Sequence, residues 1–270
     1  MRASRPAQNR QMIKYGVRLS LQGKVVVSFL ACLIPALLPW LLQIIPVEIG
    51  VVNLLIGDMF LLPVSLPLTA LSWVATVLVT DPMRVKLAAF FLTLNKSREN
   101  LPSPLSVCES FGPEYGRLMA GMFLRSLRIF LWTAAPMALA ALLPGSLSLV
   151  SVDGYEALRV GGALPLAVMV SGALNAYLTL VYAMVPYVLS DEPSLTPAGA
   201  LRRSRELTRG RLIELLVLNL SFLGWMLLVS VTVFIAGIFV YPYLEGTMAA
   251  YCLAFTQPPR DGEAEAQHAA

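Results

Sequence analysis

Long apolar runs without charge set the rhythm of this chain. Val25–Val47 is one such run, and Val51–Thr80 is a second, interrupted only by Asp58. A third extends from Arg117 to Leu143 with Arg125 and Arg128 in its first half, and a fourth lies within Val160–Ser190. From Leu212 to Phe255 only Glu214 and Glu245 are charged. At a rise of 1.5 Å per residue, about twenty helical residues cross a hydrocarbon core ~30 Å thick. Val25–Val47 is long enough for one crossing, and the second is expected to start near Met59. The last stretch is too long for one crossing and is expected to break near Thr232–Gly237 into spans five and six. A single tilted helix with an external tail is the alternative. The pattern predicts an all-α, polytopic helical membrane protein of about six transmembrane helices arranged as three hairpins.

Between these runs the chain reads as short amphipathic helices at the membrane surface. Arg10, Lys14 and Arg18 recur at every fourth position, beside an apolar stripe of Ile13, Val17 and Leu21. Such a helix suits an anionic leaflet; an ordinary basic flank without helix is the plainer alternative. Thr196-Pro197 reads as an N-cap with proline at the first helical position, which predicts a helix over Thr196–Arg209. Ser103-Pro104 repeats that signal. Glycine followed by a basic residue opens three apolar runs, at Gly23-Lys24, Gly116-Arg117 and Gly210-Arg211, with Trp40, Trp132 and Trp225 at similar distances beyond. These matches suggest a threefold repeat of basic surface helix, glycine joint and membrane hairpin.

Basic residues fix the expected orientation. Lysines and arginines number six before the first run and seven from Arg84 to Arg128, the last three of them within the start of the third run, with five more from Arg202 to Arg211. The two intervening loops carry none and Arg159 alone. The reading is a multi-pass membrane protein with its N-terminus in the cytoplasm. Residues 1–24 form a basic interfacial segment, 25–256 the membrane domain, and 257–270 a polar, disordered tail. Composition agrees, because 57% of residues are hydrophobic and 13% charged, about half the charged share of a soluble domain.

Candidate chemistry is sparse. The one histidine, His268, lies in the tail, which removes histidine-dependent catalysis and zinc motifs. Cys32, Cys108 and Cys252 are too scattered for a disulfide framework or metal site and read as packing residues. No phosphate-binding glycine loop occurs, and no cofactor, metal or nucleic acid is implied.

Ionisable residues inside the apolar runs are costly and so draw attention. Asp58, between Gly57 and Pro63, reads as an aspartate near the outer face, or as a cation ligand in a discontinuous helix. Glu245 would lie about 11 residues into span six, roughly 16 Å deep, a depth compatible with pairing to Arg125 or Arg128. A structural pair is the plainer reading and an ion or proton relay the sharper one. Asp191-Glu192 complements the start of the Thr196 helix. Arg202, Arg205 and Arg209, like Arg10, Lys14 and Arg18, are expected to face lipid.

Within Val185–Phe255 the runs VPYVLSDEP, ALRRSRELTRG, LSFLGW and YPYLEGTMAAY resemble, in order and spacing, the C-terminal signature of a bacterial integral-membrane family, domain of unknown function 975. Lys86–Leu94 resembles it more loosely. The resemblance implies a six-helix bacterial membrane protein of undetermined activity, with Asp191, Pro193, Ser204, Gly210, Trp225, Pro242 and Tyr243 matching its motif. The leading functional expectation is a non-enzymatic membrane-partner or scaffold component that meets anionic inner-leaflet lipids and a membrane-protein partner of unknown identity. The alternative is a small-solute or lipid transporter using Asp58, Glu245, Arg125 and Arg128; an intramembrane enzyme is a distant third.

Overall fold

The computed structural model describes residues 5–37, 62–97, 101–143, 147–152, 155–160, 163–232 and 235–256. Asp58, Trp40 and the 257–270 tail therefore lie outside the described residues, as does the loop after the first span. Nine α-helices are described. They are α1 (Arg5–Leu21), α2 (Val25–Leu37), α3 (Leu62–Lys96), α4 (Tyr115–Leu142), α5 (Ala163–Val181), α6 (Val185–Asp191), α7 (Pro197–Thr208), α8 (Leu212–Val231) and α9 (Gly237–Thr256). A 3-10 helix, Pro104–Phe111, precedes α4.

Four helical segments are long and apolar enough to cross a membrane: α4, the α5–α6 segment Ala163–Asp191, α8 and α9. The pair formed by α1 and α2, bent by 97°, is a possible fifth. From Leu62 through Thr80, α3 also carries no charge. The long C-terminal apolar stretch does divide, because helical structure stops at Val231 and resumes at Gly237. The guanidinium of Arg211, before α8, sits 4.5 Å from the ring centre of Phe255 near the end of α9. The two helices therefore run antiparallel.

The predicted caps hold. Thr196 is extended, its hydroxyl accepts from the Gly199 N–H at 3.2 Å, and Pro197 opens α7 without needing an N–H partner. Ser103 similarly accepts from Leu105 N, although the following segment winds as a 3-10 helix. Gly23 and Gly210 adopt φ of +72° and +77°, a region that side chains disfavour, so these two joints of the suggested repeat need glycine. Gly116 departs from the repeat, being the second residue of α4.

Sequence reasoning missed two features. The connection from α4 to α5 is an antiparallel β-hairpin, Leu147–Val152 with Tyr155–Val160. Its signal was Asp153-Gly154 between two β-rich runs, a favoured pair for a two-residue turn. Second, the basic stripe of α1 does not simply face lipid, since α1 packs on α9. Val17 is buried there, and Lys14 donates to Ser221 Oγ at 2.9 Å and lies over the Phe222 ring. Arg18 lies over Tyr243.

The core is uneven. Buried side chains concentrate in the second half of α3, the start of α4, the end of α5, α6, α7, the start of α8 and the end of α9. Elsewhere α4, α5 and α8 present exposed residues such as Phe130, Leu139, Leu166, Met169, Leu227 and Val231. In water such exposure would be unfavourable; towards lipid it carries no such cost.

Candidate functional site

Short α6 is the hub of the core. It packs against α3, α4, α7 and α9, and Val185, Tyr187, Val188 and Leu189 are almost fully buried. A seven-residue helix leaves most of its terminal backbone groups unpaired, and burial makes each orphan costly. The sequence creates this break through Pro186, which has no N–H to offer the Tyr182 carbonyl four residues earlier. Val185 N turns instead to Tyr182 O at 3.3 Å, which releases the Val181 carbonyl as well.

Neighbouring helices supply the missing donors. Arg125 Nε on α4 donates to Tyr182 O at 3.2 Å. On α7, Ser204 Oγ donates to Val181 O at 3.0 Å, and Thr208 Oγ1 lies within donating distance of the same carbonyl at 3.2 Å and of the Ser204 carbonyl at 3.0 Å. At the far end of α6, Arg117 places two N–H groups on Leu189 O, each at 3.2 Å, and a cation suits a helix C-terminus. The same logic recurs in α3. Pro82 cannot bond Leu78 O, and Tyr115 OH donates to that carbonyl at 3.0 Å.

The Tyr182 side chain collects further cations. Arg128 Nη1 and Arg205 Nη2 both donate to its hydroxyl, at 3.4 and 2.9 Å, and Arg205 also lies over its ring. Tyr182 is 1% exposed, whereas Arg128 and Arg205 are exposed. Thus Arg205 is turned onto protein on one side, a partial correction to its lipid-facing assignment. Arg202 pairs with Glu206, and Arg209 is exposed at the α7 terminus.

The expected Glu245–arginine pair does not form. Glu245 Oε2 accepts from Tyr187 OH at 2.9 Å, while Arg125 and Arg128 are directed to Tyr182. On α9 Glu245 is turned to α6, and both arginines are turned to the α5–α6 joint. Tyr187 and Tyr182 escaped notice because both lie in a charge-free run; a hydroxyl-bearing residue on each side of Pro186 was the available signal. Asp81, 8% exposed and near Arg84 and Arg125, was also overlooked.

Of the seven residues expected to match the family motif, Asp191, Pro193 and Gly210 lie at helix ends or turns, and Trp225, Pro242 and Tyr243 lie inside helices. Asp191 pairs with Lys96 at the end of α3, and Glu192 with Arg203 at 3.6 Å. Pro193 lies in the exposed turn after α6. Ser204 caps Val181, and Gly210 makes the turn into α8. Pro242 is buried within α9, and Tyr243 packs edge-on against Phe222 at 5.5 Å. Trp225 is 46% exposed and belongs to the outward apolar face. Cys32 and Cys252 are buried and Cys108 is exposed, all as free thiols.

Two open hollows lie along α1. One, about 250 Å³, is lined by Arg10, Gln11, Lys14, Val217, Leu218 and Ser221. The other, about 200 Å³, lies between α1, Asn95 and the end of α9. Neither is lined by Glu245. At Lys14 partial burial, then the charges of Arg10 and Arg18, push the ammonium pKa below its ordinary value.

No curated protein and no solved structure matches the chain. A family model described as a protein of unknown function (DUF975) matches residues 1–258, extending the likeness well beyond the C-terminal signature, and the chain belongs to that family.

Proposed function

We propose that this protein is a non-enzymatic membrane scaffold, embedded in the bacterial inner membrane as three helical hairpins and seated on the inner leaflet by its basic helices. In this reading the six spans are α2 with the residues that follow it, the charge-free half of α3, α4, α5, α8 and α9. Both termini are cytoplasmic. The surrounding lipid and a membrane-protein partner cover the outward apolar faces.

One observation carries the reading over transport. Two of the described ionisable residues inside the helical bundle are engaged by fixed protein groups: Glu245 by Tyr187, and Arg125 by the Tyr182 carbonyl. A coupled transporter instead needs an ionisable group that can exchange its partner for solute or water. Reconstitution into liposomes tests this. Under an imposed pH or Na⁺ gradient, proteoliposomes should leak protons and Na⁺ no faster than empty liposomes, and Glu245→Gln should change nothing. A protein-dependent flux abolished by Glu245→Gln would establish the transport alternative.

A further inference from the structure

Three guanidiniums meet at Tyr182 without an acid to balance them. Arg125 and Arg128 come from α4 and Arg205 from α7. Among the described residues none of the three forms an ion pair; the bridges join other residues. Arg84 adds a fourth positive charge near Arg125, against the single carboxylate of Asp81. Two of these guanidiniums share one phenol oxygen, a gathering of like charges that is unfavourable, and an anion bridging them would reverse its sign.

The geometry favours one kind of anion. Arg128 and Arg205 are exposed, and they donate to the same oxygen from two different helices. Guanidiniums bind phosphate oxygens through paired N–H donors. One helical turn beyond Arg128, at the spacing that keeps residues on one helix face, stand Leu131 and Trp132, 57% and 62% exposed. A polar anion-binding pair thus continues into an apolar strip along α4.

We propose that Arg128 and Arg205, held side by side by the buried Tyr182 hydroxyl, bind the phosphate of an anionic phospholipid whose acyl chain lies along Leu131 and Trp132. This deepens the scaffold reading and rests on its membrane placement, with a defined lipid held where α4, α7 and the α5–α6 joint meet. The site would tie the position of α7 to lipid composition. Diffuse attraction of a basic surface to an anionic leaflet has no such dependence on two particular arginines.

The test uses the full chain in a neutral detergent, titrated with short-chain phosphatidylglycerol, short-chain phosphatidylcholine, glycerol 3-phosphate and inorganic phosphate. Phosphatidylglycerol should bind saturably and raise the melting temperature, and the other three should not. Arg128→Gln with Arg205→Gln should weaken binding by about tenfold or more, the loss of two charge-assisted contacts. Arg202→Gln with Arg209→Gln removes the same charge from α7 and should leave affinity within about twofold. If the first double variant does not fold, Arg205→Gln alone should still weaken binding more than Arg202→Gln. Equal losses in both pairs would reduce the effect to diffuse charge and overturn the proposal. Equal binding of inorganic phosphate would identify a soluble anion instead, and absence of any binding would remove the site. Carbonate extraction of native membranes checks the prior reading separately, since release of the wild-type protein would refute membrane embedding itself.

Discussion

Replacing Ser204 with Ala and Thr208 with Val together should destabilise the protein by about 2 kcal/mol, while either change alone should cost under ~1 kcal/mol. The asymmetry follows from a shared acceptor. Both hydroxyls lie within donating distance of Val181 O, whose helical partner has been diverted by the turn before Pro186. Removing one donor leaves the carbonyl satisfied by the other. Removing both leaves it buried and unpaired among side chains too tightly packed to admit water; Ser204 is 0% and Thr208 1% exposed. The penalty for an orphaned buried polar group then applies in full. Melting of the two single variants and the double in one detergent gives the coupling. Additive losses would mean that the two hydroxyls do not serve one carbonyl.

Gly121→Val should be the most damaging single substitution at the α4–α6 contact. A Cβ built at Gly121 would stand 2.6 Å from Leu189 Cδ1 and 3.0 Å from Cδ2. Leu189 is wholly buried and cannot swing aside without displacing α6. Overpacking of this kind costs about 1–3 kcal/mol, and the upper end is expected because the displaced helix is the hub of the core. Leu189→Ala made in the Gly121→Val background should recover part of the loss. Thermal denaturation of the four proteins in the cycle measures it. If Leu189→Ala worsens Gly121→Val by its full separate cost, the two residues are not in steric conflict.

Local chemistry was legible in the sequence to a useful depth. Thr196-Pro197 announced α7 because a hydroxyl N-cap and a proline at the first helical position satisfy adjacent constraints without help from the rest of the fold. The break after Val231 was legible from length alone, since a helix through Leu212–Phe255 would outrun the bilayer. Partners across helices were not legible. Depth along a span can be counted, and it allowed Glu245 to meet Arg125 or Arg128. Which way each helix faces depends on packing against every neighbour, and there α6 intervened with Tyr187. The α1 stripe failed for a related reason. Its basic and apolar positions match a leaflet as well as they match Ser221, Phe222 and Tyr243, so periodicity cannot choose between lipid and protein. The capped joint at Pro186 required knowing that α4 and α7 converge on it.

The measurement that bears most directly on the scaffold reading is cysteine labelling from each side of the membrane. In a background lacking Cys32, Cys108 and Cys252, single cysteines at Ser4, Gly262 and Glu245 would be exposed to a membrane-impermeant maleimide in right-side-out and inverted vesicles. The account predicts reaction at positions 4 and 262 only in inverted vesicles, and no reaction at position 245 in right-side-out ones. Labelling of position 262 from the outside would contradict the three-hairpin topology. Reaction of position 245 from both sides would contradict the scaffold itself, because alternating access of that carboxylate position is what a transporter requires.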